Sequence, residues 1–319
     1  MLTVGIIMDP IEHADPDKDT TITLMHALQK KCNVEYIIPR SIFLENQNVF
    51  AKSSKIKIFK NKTDFYKISK SRLINLNKFN CLFFRLDPPV DNFYIQITHL
   101  LDYLEKKGVL IINSPQSIRD MNEKILGNNL TPNNIPTLIS SNNNIIKNFI
   151  RKNRKVVLKP LNMMRGENII VCKYGEKNLE SKISNMLCNN KFENILVQKY
   201  INDIKKGDTR IIIYNGIVHD KVLVRFPPKN DFRANLAIGG KYKIKKIDNK
   251  YVEHLLDIAE YLRSNRIYLA GVDMIGKYIT EINITSPTGI QQLESTSKDL
   301  SDKIASEFIK IIKNFYLNE

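Results

Sequence analysis

Three oxygen-bearing side chains near the C-terminus are spaced so that they can bind one metal ion. Asp273, Glu281 and Asn283 lie in two apolar stretches joined by a short polar turn. Residues two apart in a strand share a face, so Glu281 and Asn283 point the same way. A three-residue loop over residues 276–278 places Asp273 directly opposite Glu281. Two carboxylates and an amide oxygen suit Mg²⁺ or Mn²⁺ better than zinc. The alternative is a surface hairpin whose polar side chains face solvent.

Two lysines upstream of this hairpin are candidates for binding phosphate. Lys159 follows an apolar strand and precedes a loop that reaches Gly166, and Lys124 lies on a helix that begins after Ser114. An ammonium group at either position can meet a phosphate group. Each lysine taken alone is equally typical of a solvated surface residue.

A predicted strand near the middle of the chain ends in a polar linker, residues 198–201, that leads to Asp208 and Arg210. The end of such a strand offers backbone donors and acceptors to a purine ring. The alternative is an ordinary connection between domains.

Composition limits the classes of protein to which the chain can belong. It has 319 residues, of which 43% are hydrophobic, and a formal net charge of +16. No apolar run reaches the length of a membrane span, and the first residues do not resemble a signal peptide, so we expect a cytoplasmic protein without a membrane partner. The four cysteines show no metal-binding spacing, and we expect reduced thiols. Lysine is spread along the whole chain without a nucleic-acid motif, so we expect no nucleic-acid partner.

The order of predicted elements divides the chain into three parts. Residues 1–120 predict an α/β domain, residues 121–201 a smaller α+β domain, and residues 202–319 a third unit that contains the hairpin described above. Asn215 and Gly216 predict a tight hairpin turn. Residues 227–241 are polar, end in glycine and are too long for an ordinary connection, which predicts an active-site lid.

Together these features resemble the ATP-grasp enzymes, and more specifically the bacterial glutathione synthetases. The segments that carry the resemblance occur in the family's order along nearly the whole chain. They are residues 5–11 (GIIMDPI), 18–20 (KDT), 85–89 (RLDPP), 117–124 (SIRDMNEK), 158–161 (LKPL), 207–210 (GDTR), 233–240 (RANLAIGG) and 280–288 (TEINITSPT).

The resemblance implies an α/β N-terminal domain, residues 1–120, followed by an α+β ATP-grasp fold whose two subdomains, residues 121–201 and 202–319, clasp ATP. It implies a ligase that joins γ-glutamylcysteine to glycine through an acyl phosphate and releases ADP and phosphate. ATP is then a cosubstrate, Mg²⁺ or Mn²⁺ the cofactor, and a homo-oligomer, a tetramer, the assembly.

The resemblance also implies a role for individual residues. Metal binding falls to Asp273, Glu281 and Asn283, and stabilisation of the transferring phosphoryl group to Arg210, Arg225 and Arg233. ATP binding falls to Lys124, Lys159, Gly166, Gln198, Lys199, Tyr200, Ile201 and Asp208. Binding of the peptide substrate falls to Lys18, Asp19, Arg85, Asp87, Ser286 and Thr288.

The phosphate loop departs from the family pattern. Where the family has a glycine-rich run, residues 162–166 read Asn-Met-Met-Arg-Gly. If Met163 or Arg165 needs a left-handed backbone, its side chain costs about 1 to 2 kcal/mol; alternatively, Arg165 adds positive charge near the phosphates. Two further interpretations therefore stay open, another ATP-grasp carboxylate–amine ligase and a decayed nucleotide-binding protein without catalysis.

Overall fold

The computed structural model describes residues 1–61, 63–131, 134–163, 166, 168–191, 193–228, 231, 233–234 and 240–317. Three β-sheets follow one another along these residues, with eight, four and six strands. No described helix combines the length and the apolar character that crossing a membrane requires. The four cysteines are free thiols, and three of them are buried. The helices are α1 Thr20–Leu28, α2 Asn92–Glu105, α3 Pro115–Asp120, α4 Glu123–Asn129, α5 Asn143–Asn153, α6 Leu179–Asn189, α7 Val252–Ser264, α8 Ile290–Glu294 and α9 Leu300–Leu317.

The first sheet has a parallel centre. Its strands are β1 Thr3–Ile7, β2 Asn33–Ile37, β3 Phe43–Glu45, β4 Asn48–Ile58, β5 Tyr66–Ile68, β6 Arg72–Asn75, β7 Cys81–Phe84 and β8 Leu110–Ile112. Strands β2, β1, β7 and β8 are parallel neighbours, and their residues are almost all buried. Continuous apolar runs of this kind fit strands that are covered on both faces. Helix α1 connects β1 to β2, and α2 connects β7 to β8.

The last helix of the chain returns to this first sheet. Helix α9 packs beside α1, and the ring of Phe308 lies 5.2 Å from the ring of Phe83 on β7. Phe308, Ile304 and Ile312 are fully buried in the same hydrophobic cluster as the side chains of β1. The C-terminal helix therefore completes the core that the N-terminal strands begin.

The second sheet is antiparallel, in the order β11-β10-β12-β9. Its strands are β9 Thr137–Ser140, β10 Lys155–Pro160, β11 Ile170–Lys173 and β12 Ile195–Lys199. Along β10, Val156 and Leu158 are fully buried and pack with residues of α5 and α6. The alternation of a strand sends their neighbours Val157 and Lys159 to the opposite face.

The third sheet is also antiparallel, with the main order β16-β15-β13-β17-β18. Its strands are β13 Asp208–Tyr214, β14 Ile217–Val218, β15 Lys221–Phe226, β16 Lys241–Lys246, β17 Leu269–Ile275 and β18 Tyr278–Asn283. The predicted turn between β13 and β14 is confirmed, because Asn215 and Gly216 both have positive φ, 48° and 77°, as a type I′ turn requires.

The predicted lid lies between β15 and β16. Lys241 belongs to β16, so the connection ends before that residue rather than at it. Residues 229, 230, 232 and 235–239 of the predicted lid lie outside the described residues.

One buried amide joins the first sheet to the third. Asn113, directly after β8, donates from Nδ2 to the carbonyl oxygens of Leu269 and Ile284, both at 2.7 Å. Its Oδ1 accepts from the backbone N–H groups of Tyr268 and Leu269, at 2.8 and 3.0 Å. These bonds use both amide hydrogens and both lone pairs of the side chain. They hold the start of β17 and the segment after β18 against the end of β8.

Candidate active site

The hairpin of β17 and β18 brings the three predicted metal ligands together. Asp273 pairs with Glu281, and Gly271 pairs with Asn283. The predicted pairing is confirmed, but the predicted three-residue loop is wrong, because Ile275 pairs with Tyr278 and only residues 276–277 form the turn. The extra residue is Thr280, which lies in a β-bulge and donates from Oγ1 to the carbonyl oxygen of Asp273 at 3.2 Å. The bulge restores the register that the shorter turn would have shifted.

This hairpin forms one wall of a cavity of about 480 Å³, which is lined by the second and third sheets and by the loops that follow β1 and β7 of the first sheet. Every predicted site residue except Arg85 lines it. They are Lys18, Asp19, Asp87, Lys124, Lys159, Gly166, Gln198, Lys199, Tyr200, Ile201, Asp208, Arg210, Arg225, Arg233, Asp273, Glu281, Asn283, Ser286 and Thr288.

Two arginines and two aspartates form a buried cluster in this wall. Arg210 grips Asp273 with two hydrogen bonds, from Nε to Oδ1 at 2.6 Å and from Nη2 to Oδ2 at 2.8 Å. Arg225 Nη2 lies 2.6 Å from Asp208 Oδ2 and 2.8 Å from Asp273 Oδ1. The strands place these partners directly opposite each other, Arg210 with Asp273 and Asp208 with Arg225. Gly271 allows this arrangement, since a Cβ atom there would lie 2.9 Å from the Arg210 side chain.

The two carboxyl groups of the cluster differ in pKa. Burial raises the pKa of Asp208 to about 6, and the neighbouring charge of Asp273 acts in the same direction against the attraction of Arg225. Burial also acts to raise the pKa of Asp273, but Arg210 and Arg225 outweigh it and lower that pKa to about 2. The two pKa values differ because two guanidinium groups, those of Arg210 and Arg225, bond Asp273, whereas Asp208 bonds only Arg225.

Asp208 Oδ1 and Arg225 Nε are buried and have no hydrogen-bond partner among the described residues. Both residues line the cavity. A buried polar atom without a partner carries a desolvation cost that a hydrogen bond removes. These two atoms are therefore free to bond a ligand.

The donor set of the hairpin suits a hard divalent cation, with one condition. Within the described part of the chain, no group of three or more His, Cys, Asp or Glu residues is placed to hold a metal, so the Asn283 amide must complete a three-ligand set. Asp273 Oδ2 accepts from Asn283 Nδ2 at 3.2 Å as well as from Arg210, and its Oδ1 faces both arginines. All four acceptor positions of that carboxylate are thus in use. Glu281 and the Asn283 oxygen fit a cation directly, whereas Asp273 has to release one partner.

The two predicted phosphate-binding lysines face this hairpin from other elements. Lys124, on α4, donates to the carbonyl oxygens of Leu161 and Met163 and lies 3.5 Å from Glu281 Oε1. Lys159 donates to Gln198 Oε1 at 3.1 Å, and burial lowers the pKa of its ammonium group. Lys159 is therefore held by a neutral oxygen, whereas Lys124 has two carbonyl oxygens and the Glu281 carboxylate as partners.

The altered phosphate loop is described in part. Met163 is not among the described residues with positive φ, so the left-handed strain considered for that position is absent. Arg165 lies outside the described residues. Gly166 has a φ of 76°, and its carbonyl oxygen accepts from Arg233 Nη1 at 3.0 Å. Arg233 also pairs with Asp231 at 2.7 Å, so it connects the start of the lid to the phosphate loop.

The predicted purine-binding linker has fewer free backbone donors than its sequence indicates. The N–H of Lys199 donates to Pro136 and that of Tyr200 donates to Lys155. The Lys155 ammonium lies 3.3 Å from the centre of the Tyr200 ring. A purine at this end of the cavity would have to use other groups of the linker.

Arg85 is the one predicted substrate residue that does not line the cavity. It is buried, donates from Nη2 to the carbonyl oxygen of Pro287 at 3.0 Å, and donates from Nε to Thr21 Oγ1 at 3.2 Å. Burial lowers its pKa. The side chain supports the loop of Ser286 and Thr288 from behind, and a role for Arg85 in substrate binding stays a prediction.

Glu123 is a site residue that the sequence did not reveal. Its Oε1 accepts from the N–H groups of Ile284 and Thr285, at 2.7 and 2.8 Å, and from Thr285 Oγ1 at 2.8 Å. An acidic residue in the first turn of a helix is a common stabiliser of the helix dipole, so its position gave no separate signal.

Comparison with known proteins agrees with this site. A family model described as "Prokaryotic glutathione synthetase, N-terminal domain" matches residues 2–119, and one described as "Prokaryotic glutathione synthetase, ATP-grasp domain" matches residues 123–298. The chain belongs to the prokaryotic glutathione synthetase family. The glutathione synthetase of Coxiella burnetii is 34% identical, with 99% of this chain and 97% of that protein covered. That of Wigglesworthia glossinidia brevipalpis is 38% identical over 93% and 94% of the two chains. The predicted family is confirmed.

Solved structures share the fold of this glutathione synthetase family member at low sequence identity. A D-cycloserine synthetase is 11% identical, with a TM-score of 0.67 over 97% of this chain and 99% of its own. An ATP-grasp ligase solved with its minimal precursor is 13% identical, with a TM-score of 0.62 over 97% and 99%. The predicted fold, an α/β N-terminal part followed by an ATP-grasp fold, is confirmed.

Proposed function

We propose that this chain forms glutathione from γ-glutamylcysteine and glycine with cleavage of ATP to ADP and phosphate. The cavity supports the proposal because it brings two lysines, a carboxylate and amide hairpin, and an arginine cluster to one place in a member of the glutathione synthetase family. Another carboxylate–amine ligase would use the same groups, but the similarity to glutathione synthetases favours the tripeptide product.

The reaction needs two transfers. An oxygen of the cysteinyl carboxylate attacks the γ-phosphorus of ATP, the bond from that phosphorus to the bridging oxygen breaks, and ADP leaves. The glycine nitrogen then attacks the acyl carbon, phosphate leaves with the bonding electrons, and the amine loses a proton. Such transfers depend mainly on positioning and on neutralising charge.

Lys124 and Lys159 are the groups that we assign to the phosphates of ATP. Lys159 supports this role because its pKa is lowered by burial while its hydrogen-bond partner is the neutral oxygen of Gln198. The charges of Glu281, Asp208 and Asp273 oppose this shift without cancelling it, and an anionic phosphate would add to them. Gly166, Asp208 and the linker of residues 198–201 are the proposed contacts for the rest of the nucleotide.

Glu281, Asn283 and Asp273 are the proposed ligands of Mg²⁺ or Mn²⁺. When bound, a divalent cation would neutralise phosphate charge. Asp273 would join it on releasing Arg225, which has Asp208 as a second partner at 2.6 Å. Glu281 has fewer competing bonds than Asp273. Its carboxylate pairs with Lys124 at 3.5 Å.

The three arginines are proposed to stabilise the transferring phosphoryl group and the acyl phosphate. Arg210 and Arg225 are held rigidly by the aspartates of the cluster, and rigid donors stabilise developing charge without reorganisation. Arg233 belongs to the predicted lid, residues 227–241, and its bond to Gly166 supports closure over the phosphate loop. Closure would keep water from hydrolysing the acyl phosphate.

The peptide substrate is proposed to lie against the N-terminal part of the cavity. Lys18, Asp19, Asp87, Ser286 and Thr288 line that end, and Arg85 supports it from behind. The division at residues 120 and 201, the cytoplasmic location and the homotetramer stay predictions from the sequence.

The deciding experiment incubates the protein with ATP, magnesium, γ-glutamylcysteine and glycine and measures ADP and tripeptide. We expect both products in equal amounts, and a Glu281→Ala control without tripeptide. Nucleotide binding without any ADP release would instead support a non-catalytic nucleotide-binding protein. ADP release only with a different acid or amine would identify another ligase.

A further inference from the structure

Three consecutive residues at the start of α4 bind two separate segments of the site. Asn122 caps the helix, accepting from the Lys124 N–H at 3.1 Å, and donates to the carbonyl oxygen of Leu161 at 3.4 Å. Lys124 donates to Leu161 and Met163 of the phosphate loop. Glu123, between them, points to the segment after β18 instead.

Both the backbone N–H and the carbonyl oxygen of Ile284, in that segment, are held by side chains. The Ile284 N–H donates to Glu123, and its carbonyl oxygen accepts from Asn113. Thr285 adds two further hydrogen bonds to the same Glu123 oxygen. Asn283, a proposed metal ligand, directly precedes this point, and Ser286 and Thr288 of the proposed peptide subsite directly follow it. A carboxylate oxygen is a strong acceptor for such donors.

Helix α4 cannot move freely against β18. A Cβ atom on Gly127 would lie 2.9 Å from Ile279 Cγ2 and 3.7 Å from the Glu281 backbone nitrogen. The helix backbone thus rests directly on the strand that carries Glu281 and Asn283. Glu123 and Lys124 both lie in the first turn of this short helix, so a ligand that moved Lys124 would also move Glu123.

We propose that Glu123 is a positioning residue that sets the peptide-binding loop, residues 284–288, and links its order to the phosphate-binding end of the site through α4. The identity of the substrates in this proposal is taken from the proposed function. It assigns to Glu123 no contact with the reacting atoms: the residue acts through Ile284 and Thr285, whose three hydrogen bonds end on one of its oxygens.

The kinetic test compares Glu123→Ala with Glu123→Gln. Alanine removes the acceptor, so we expect kcat/KM for γ-glutamylcysteine to fall about 10- to 100-fold, the range for bonds to a charged group, while KM for ATP changes less than about threefold. Glutamine keeps a carbonyl oxygen for the same donors and should restore kcat/KM to within about fivefold of the native enzyme. A glutamine variant as impaired as alanine would overturn the positioning role and indicate a need for the charge itself.

A matched control is Glu294→Ala, which also removes a carboxylate that accepts from a backbone N–H, that of Ser301, but does not line the cavity. We expect this variant to lose stability without a change in kcat/KM for γ-glutamylcysteine. If its kcat/KM falls as in Glu123→Ala, the effect of Glu123 is one of general destabilisation and the proposal fails.

Amide hydrogen exchange at Ile284 and Thr285 gives a second readout that needs no product. We expect ADP with magnesium to slow exchange at both amides in the native protein and to leave it unchanged in Glu123→Ala. No slowing in the native protein would refute the link through α4. Because this readout requires only nucleotide binding, it stays decisive if the native protein makes no tripeptide, an outcome that would refute the proposed function alone.

Discussion

The second and third sheets form two walls of the same cavity, and the charged side chains in these walls differ in how they are paired. The third sheet supplies carboxylates whose charges are already balanced, since Arg210 and Arg225 bond Asp208 and Asp273 across neighbouring strands. The second sheet supplies Lys159, whose ammonium group has an amide oxygen as its hydrogen-bond partner and a pKa lowered by burial.

The charged residues of the third sheet stabilise the folded structure of the site, whereas the charge of Lys159 in the second sheet would be stabilised by a bound ligand. The cluster of the third sheet is part of the folded structure, and removing one member leaves the others buried without a partner. In the protein without nucleotide, the buried charge of Lys159 lowers the free energy of unfolding. An anionic ligand would offset this loss on binding. Substitutions in the two walls should therefore change stability in opposite directions while both reduce activity.

The largest effect is expected for Asp273→Asn. It removes the charge that Arg210 and Arg225 share, and breaking such a buried pair costs about 3 to 5 kcal/mol of unfolding free energy. Chemical denaturation with and without nucleotide measures the loss, and Asp299→Asn is the control because Asp299 forms an exposed ion pair with Lys303. An Asp273→Asn protein as stable as this control would show that the third-sheet charges are not structural.

Glu281→Gln should reduce activity with less damage to the fold. Glu281 lies outside the arginine cluster, and it forms its ion pair with Lys124 at 3.5 Å. We expect about a 100-fold or greater loss of tripeptide formation, the scale on which removal of one charge-stabilising group acts. Deletion of Thr280 is the control, because it removes the bulge and the bond to Asp273 but leaves Asp273 paired with Glu281, and it should retain more activity. Equal activity of the Glu281→Gln and native proteins would exclude Glu281 as a ligand.

Lys159→Met should stabilise the protein without nucleotide and weaken ATP binding about 10- to 100-fold. Its lowered folded pKa means that the unfolded chain binds the proton more tightly, so the penalty is present below the folded pKa and disappears as pH rises towards 10.5. Thermal melts with and without ATP test both signs, with the exposed Lys173→Met of the same sheet as control. A less stable Lys159→Met protein with normal ATP affinity would reverse the comparison.

The smallest effect is expected for the pH dependence of Asp208. Its folded pKa, about 6, lies above the ordinary value of 3.8, so the folded state favours the protonated acid. The resulting penalty is absent below 3.8, grows as pH rises to 6, and is complete above that value. Whatever its stability at pH 4, the Asp208→Asn protein should therefore improve by about 2 kcal/mol relative to the native protein as pH rises from 4 to 7.5. A constant difference across that range would show that Asp208 is charged throughout.

The sequence predicted the strand pairing of the β17–β18 hairpin well because strand geometry repeats every two residues. Asp273, Glu281 and Asn283 share a face for any register that keeps the first two opposite each other. The loop length was wrong because a shorter turn and a bulge at Thr280 give the same pairing as a longer turn. A bulge depends on contacts such as the bond of Thr280 to Asp273, which spacing does not reveal.

The sequence predicted less about what each charged residue does. Arg85 and Lys159 both follow apolar strands, yet one supports a loop from behind and the other faces the cavity. Glu123 and Lys124 are adjacent, yet they bind different segments. The direction of a long side chain is decided by partners far away in the chain, so these roles become visible only when the sheets are assembled.

The return of α9 to the first sheet has a consequence for the synthesis of the chain. Phe83 emerges from the ribosome well before Phe308, which packs against its ring. The apolar surface of β1 and β7 is therefore uncovered on one side until α9 has been made, and nascent chains in that condition are prone to association. The core that β1 begins is thus completed only when α9 is synthesised.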